Sequence, residues 1–133
     1  MKWAALAARI LVGLPFVVLG VQYWLKFIPM DEAKMMESLP EAARTFSGIL
    51  GSTHYMDVVK ALEVVGGLLV LSGRLTPLGL VLATPVAVNI ALWDALILKQ
   101  PGLGVILTGL CFFLVYAYRS HFAGVFSTNA RVG

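Results

Sequence analysis

Four long apolar stretches run along the chain, at residues 3–27, 55–73, 76–98 and 101–119. Within each, apolar residues follow one another instead of alternating with polar ones. Continuous runs of this length indicate helices rather than half-buried strands. A helix that crosses a bilayer needs about 20 mostly apolar residues. Only helices and closed barrels satisfy every backbone polar group inside lipid. The pattern therefore predicts an all-α fold, one domain over residues 1–133 forming a four-transmembrane-helix antiparallel bundle. The fourth stretch is the shortest, and it reaches spanning length only when extended back over Pro101 and on to Arg119.

The links between stretches are unequal. The second is a turn at Gly73-Arg74-Leu75 and the third is Lys99-Gln100-Pro101-Gly102, whereas the first, Ile28–His54, is long. Short links force antiparallel neighbours, so the first helix must close the bundle through the long loop. Pro29 and Asp31-Glu32 read as a helix start, with Met35, Met36 and Leu39 on an apolar face. Pro40 and Glu41 restart a second segment containing Ala42, Ala43, Phe46, Ile49 and Leu50. Two short amphipathic helices on the bundle or at the interface are expected, an ordinary covering loop being the alternative.

Composition agrees with a bilayer. The chain is 59% hydrophobic and 13% charged, against about half and about a quarter for a soluble domain. Lys2 before an apolar run also suits a signal peptide, but the run is long for one and no small-x-small cleavage site follows. The ten basic and seven acidic residues give a net charge of +3. The basic residues form no block or stripe, which argues against nucleic acid as a partner. Lys2, Arg9, Arg74, Arg119 and Arg131 fall on one side, and Lys26, Lys34, Arg44 and Lys99 on the other. The excess of basic residues in short segments places both termini in the cytoplasm and the long loop outside.

Inside the apolar stretches, polar residues collect in one half-layer. Glu63 lies about 12 Å in from Tyr55, Lys60 about 7–8 Å in, and Asn89 about 13 Å in from Leu98. Asp94 is about 6 Å deep, and Gln22 and Lys26 occupy about the last 8 Å of the first helix. Thr108 adds a hydroxyl at similar depth. Charges are costly inside a bilayer and usually face other helices or a cavity. Gln22, Lys26, Lys60, Glu63, Asn89 and Asp94 are therefore the candidates to line one outward-facing polar pocket. The competing reading is structural: Lys26 and Asp94 snorkel, Lys60 pairs with Glu63, and Asn89 makes an interhelical hydrogen bond.

Other features have bland readings. Arg9, with no acidic residue in its half, is expected to reach headgroups or the carbonyls of a helix end. Pro85 is expected to kink the third helix one turn before Asn89. Gly13, Gly20, Gly66, Gly67, Gly73, Gly79 and Gly109 suit close helix packing. Tyr23, Trp24, Phe27, Tyr55 and Trp93 suit an interfacial belt. The single cysteine, Cys111, excludes an internal disulfide or a Cys-x-x-Cys pair. His54 and His121 sit at opposite faces, and no metal-ligand constellation or nucleotide motif is present.

The run from Phe46 to Tyr55, then Val58 through Glu63, Gly66, Gly67, Leu68, Gly73 and Arg74 to Pro77, resembles the DoxX family of small bacterial membrane proteins. Arg9, Gly13, Gly20 and Lys26 extend the likeness, while Lys60 and Asn89 match a narrower branch. The resemblance implies a four-helix protein of the bacterial inner membrane. It further implies an accessory or quinone-linked subunit of a membrane redox system, because some relatives belong to thiosulfate:quinone oxidoreductase or redox-stress complexes. On that reading Glu63 is the central proton or hydrogen-bond group, quinone is the candidate cofactor, and the partners are the lipid bilayer, a redox subunit and a second copy as homodimer. No redox residue of the chain itself supports thiosulfate oxidation. The alternatives are a binding or transport protein for a small polar or anionic molecule, and a non-catalytic assembly factor.

Overall fold

Helix α1 runs from Lys2 to Leu25. It stops at Lys26, whose backbone is left-handed (φ 48°) and whose N–H donates to the Gln22 carbonyl. The computed structural model describes all residues, 1–133. After α1 come two shorter helices, α2 (Glu32–Ser38) and α3 (Glu41–Ser52). The Asp31 carboxylate caps α2 by accepting the Lys34 N–H at 3.1 Å. Helix α4 (Tyr55–Ser72) ends at Gly73, where φ is 77°. Glycine takes that left-handed turn without the Cβ clash other residues meet. Helix α5 (Thr76–Leu92) begins with Pro77 in its first turn, where a missing N–H leaves nothing unpaired. It continues directly into a π-helical turn, Trp93–Ile97.

Helix α6 covers Leu103–Ala117, and the one-turn α7 covers Arg119–Phe122. The expected fourth stretch, 101–119, is thus trimmed at both ends. Pro101 has no N–H to donate and Gly102 is extended (φ −149°, ψ −153°), so helical geometry starts only at Leu103. Two segments are long and apolar enough to cross a membrane on length and composition, Lys2–Leu25 and Thr76–Ile97. Helix α4 has 18 residues but carries Asp57, Lys60 and Glu63, and α6 has 15.

Helix α1 packs on α4, α4 on α5, α5 on α6, and α6 returns to α1. Helix α3 lies against α4, and its Phe46 ring meets Trp93 with centroids 5.5 Å apart. The interior joins a few large side chains (Phe16, Leu80, Leu107, Leu114) to many small ones. Leu11, Leu14, Leu68, Val81, Ile106 and Phe112 point outward and are exposed. Helices apolar on both their inner and outer faces belong in lipid.

Glycine sets the spacing of these helices. A Cβ on Gly67 would lie 2.9 Å from the Gly13 carbonyl oxygen, and one on Gly13 2.9 Å from that of Gly67. On the other side of α4, a Cβ on Gly79 would lie 2.6 Å from the Val70 nitrogen and 2.9 Å from the Gly66 oxygen. A Cβ on Gly104 would collide with the backbone of Ile90 and Ala91. These are backbone contacts, so no side-chain rotation relieves them. Gly79→Ala is expected to lower stability by about 1–3 kcal/mol through overpacking. Gly109→Ala, where a Cβ meets nothing within 4 Å, should leave stability unchanged or slightly raised. Thermal unfolding of both variants in one detergent checks the contrast.

Candidate functional site

Glu63 occupies the buried stripe of α4 with Gly66, Gly67 and Val70. The spacing is i, i+3, i+4, i+7, which puts all four on one helical face. The two glycines admit α1 and α5, and the carboxylate lies one turn beyond them. Gly20 of α1 faces the Lys60 carbonyl and Val64 at this level. Glu63 is 3% exposed. The Lys60 ammonium donates to its two carboxylate oxygens at 3.2 and 3.1 Å. Lys60 itself is only partly covered, so the pair runs from the bundle interior towards its surface. No other side chain bonds the Glu63 carboxylate, although a carboxylate offers about four acceptor positions.

The remaining four candidates are engaged elsewhere. Gln22 grips one residue of the departing chain: its Nε2 donates to the Ile28 carbonyl and its Oε1 accepts the Ile28 N–H, both at 2.8 Å. Lys26 pairs with Glu32 at 3.3 Å in the open. Asn89 is exposed on the outer face of α5, and its Nδ2 donates back to the Pro85 carbonyl at 2.9 Å. Asp94, in the π-helical turn, is buried and accepts the Gly104 N–H at 3.0 Å. That bond fills one of the orphan donors at the start of α6 and sets a negative charge at a helix N-terminus. Of the six, only Lys60 and Glu63 are joined directly by a hydrogen bond.

Other polar groups come into view in the packed chain. The hydroxyls of Thr84 and Thr108 are buried without a hydrogen-bond partner. Thr84 gave no sequence signal, because a threonine inside an apolar run reads as helix filler. Cys111 is fully buried. Arg9 takes the second of its two expected roles: Nε donates to the Val70 carbonyl at 3.1 Å and Nη2 to the Leu71 carbonyl at 2.8 Å. It thereby closes the C-terminus of α4, where Thr76 Oγ1 also donates to Val70 at 3.0 Å.

Two of the surface clefts are defined by their lining. One, of about 370 Å³, lies between the start of α1 and the end of α6 and is lined by Lys2, Trp3, Leu6, Arg9 and Tyr118 among others. The other is a shallow depression on α3 around Thr45 and Phe46. None of the six candidate residues lines either.

A helical chain with an apolar exterior and a charged pair inside it is a membrane protein. The family model described as DoxX matches residues 4–95, from the first turn of α1 into the π-helical turn. The chain belongs to the DoxX family. No curated protein and no solved structure matches it.

Separating the pair exposes its energetics. Removing one member of a buried ion pair strands the other charge at a cost of about 3–5 kcal/mol, whereas apolar residues in place of both are often neutral. Lys60→Met alone is expected to destabilise by about 3 kcal/mol or more. The double variant Lys60→Met/Glu63→Leu should recover most of that loss. Unfolding midpoints of wild type, both single variants and the double variant measure the coupling.

Proposed function

We propose that the chain is an accessory or quinone-linked subunit of a membrane redox system, in which Glu63 is the central proton or hydrogen-bond group. On this reading α1, α4, α5 with its π-helical turn, and α6 all span the bacterial inner membrane. The termini are cytoplasmic and α2 and α3 lie outside. The single observation that carries the proposal is a carboxylate 3% exposed on a helix surrounded by apolar ones, with one ammonium as its partner. Ionisable groups at such places mark proton or ion pathways and binding sites. Lys60 holds the charge of Glu63 and gives it an exit towards the loop side.

A binding or transport role would need Gln22, Lys26, Asn89 and Asp94 to meet a shared ligand, and each is already bonded within the chain. An assembly role has one specific observation in its favour. Asn89 presents an amide on the lipid-facing side of α5, where a hydrogen bond to a partner helix is worth about 1 kcal/mol.

The deciding experiment compares wild type with Glu63→Gln, gently extracted from the native membrane, by native mass spectrometry. The amide keeps the shape of the side chain and one acceptor oxygen for the Lys60 ammonium, but it replaces the other acceptor with an N–H donor and removes the charge. The expected result is a folded variant that loses a retained small molecule and whose host loses most of the associated redox or resistance phenotype. Equal folding, equal retention and an unchanged phenotype would overturn the redox role and favour assembly.

A further inference from the structure

We infer that the cleft between the start of α1 and the end of α6 is a binding site for the headgroup of an anionic phospholipid. The first reason is charge. All seven acidic residues (Asp31, Glu32, Glu37, Glu41, Asp57, Glu63, Asp94) lie in the long link, the first half of α4 or the π-helical turn. The opposite end of the bundle carries Lys2, Arg9, Arg74 and Arg119 with no acidic residue to offset them. The chain's three ion pairs, Lys26–Glu32, His54–Asp57 and Lys60–Glu63, are all at the other end.

The second reason is the construction of the cleft. It has a volume of about 370 Å³, within the range of about 300–1,000 Å³ in which small ligands bind. Lys2 and Arg9 are its charged residues. The Arg9 guanidinium is held in place by two backbone carbonyls of α4 through Nε and Nη2. Those bonds use two of its five N–H groups and leave the Nη1 pair free for an anion. A fixed guanidinium loses little freedom on binding. Trp3 and Tyr118 complete the rim, and both residue types favour the depth of lipid headgroups.

The third reason separates a lipid from a free phosphate. Leu6 lines the cleft and also begins an exposed apolar stripe, Leu6, Ile10 and Leu14, that descends α1 at four-residue spacing. A phosphodiester seated between Lys2 and Arg9 would have its acyl chains directly over that stripe. A free anion gains nothing from it. Basic clefts between spanning helices favour anionic headgroups on the same electrostatic grounds.

The test uses the full chain in detergent micelles, titrated with dioleoylphosphatidylglycerol or dioleoylphosphatidylcholine and read by native mass spectrometry and thermal unfolding. Wild type is expected to retain the glycerol lipid preferentially and to unfold at higher temperature with it than with the choline lipid. Lys2→Gln and Arg9→Lys should each weaken retention about tenfold, as loss of a charge-assisted contact implies. Lys34→Gln removes the same charge from α2 and should change nothing. Inorganic phosphate at matched ionic strength should not compete. Equal retention of the two lipids, or an undiminished preference in Lys2→Gln, would overturn the site. An equal loss in Lys34→Gln would replace it with net charge. Effective competition by inorganic phosphate would overturn the lipid and leave an anion site. Lys2 lies in the first turn and bonds nothing in the chain, so its variant stays informative even where Arg9→Lys disturbs the end of α4.

Discussion

Backbone-to-backbone approach at glycine is the constraint on which the rest of this structure depends. Gly13 and Gly67 face each other's carbonyls, Gly79 sits on the Gly66 carbonyl and the Val70 nitrogen, and Gly104 sits on the backbone of Ile90 and Ala91. In lipid there is little hydrophobic drive to bring helices together, so dispersion contact at short range must do it. Four helices linked this way enclose a small core, a cluster of 12 buried residues. One consequence concerns Glu63. With Gly66 and Gly67 drawing α5 and α1 onto α4, a side chain one turn further along is enclosed without any cavity having to be built for it.

Polar groups obey the same economy. Gln22, Asp94, Arg9 and Thr76 each bond a backbone group in another element or in the link leaving their own. The Asp94, Arg9 and Thr76 bonds serve helix ends that leave backbone groups orphaned, and the Gln22 pair satisfies both backbone groups of Ile28 in the link. The Asp94–Gly104 bond and the Arg9–Leu71 bond work at opposite ends of the bundle, one capping a helix start with an anion and the other a helix end with a cation. Both follow the sign that the helix dipole prefers.

The helical class, the positions of the four long helices and the helix start at Asp31 were legible in the sequence because each rests on local pattern: apolar run length, turn residues and a capping side chain. The pairing of Lys60 with Glu63 was legible for the same reason, being three residues apart on one helix. The fates of the other polar residues were not. Depth along a helix can be counted, but the direction a side chain faces around it depends on which neighbours pack where. Asn89 shares the depth of Glu63 yet faces outward, and Asp94 is spent on an α6 terminus displaced to Leu103 by Pro101 and Gly102. The cleft at Lys2 and Arg9 was hidden likewise, since it joins residues more than a hundred positions apart, such as Trp3 and Tyr118.

That same contrast bears on what Lys60 and Glu63 are for. Gln22, Arg9 and Asp94 tie separate parts of the chain together, so a structural role accounts for them fully. Lys60 and Glu63 belong to one helix and bond only each other. An ion pair within a single turn fixes no register between helices and gains little that two apolar residues would not. Packing therefore explains why the pair is tolerated in the stripe beside Gly66 and Gly67, but not why it is there. On the role proposed for it, that carboxylate, with unfilled acceptor positions and an ammonium on its outer side, would exchange a proton or a hydrogen bond on the side of the loop.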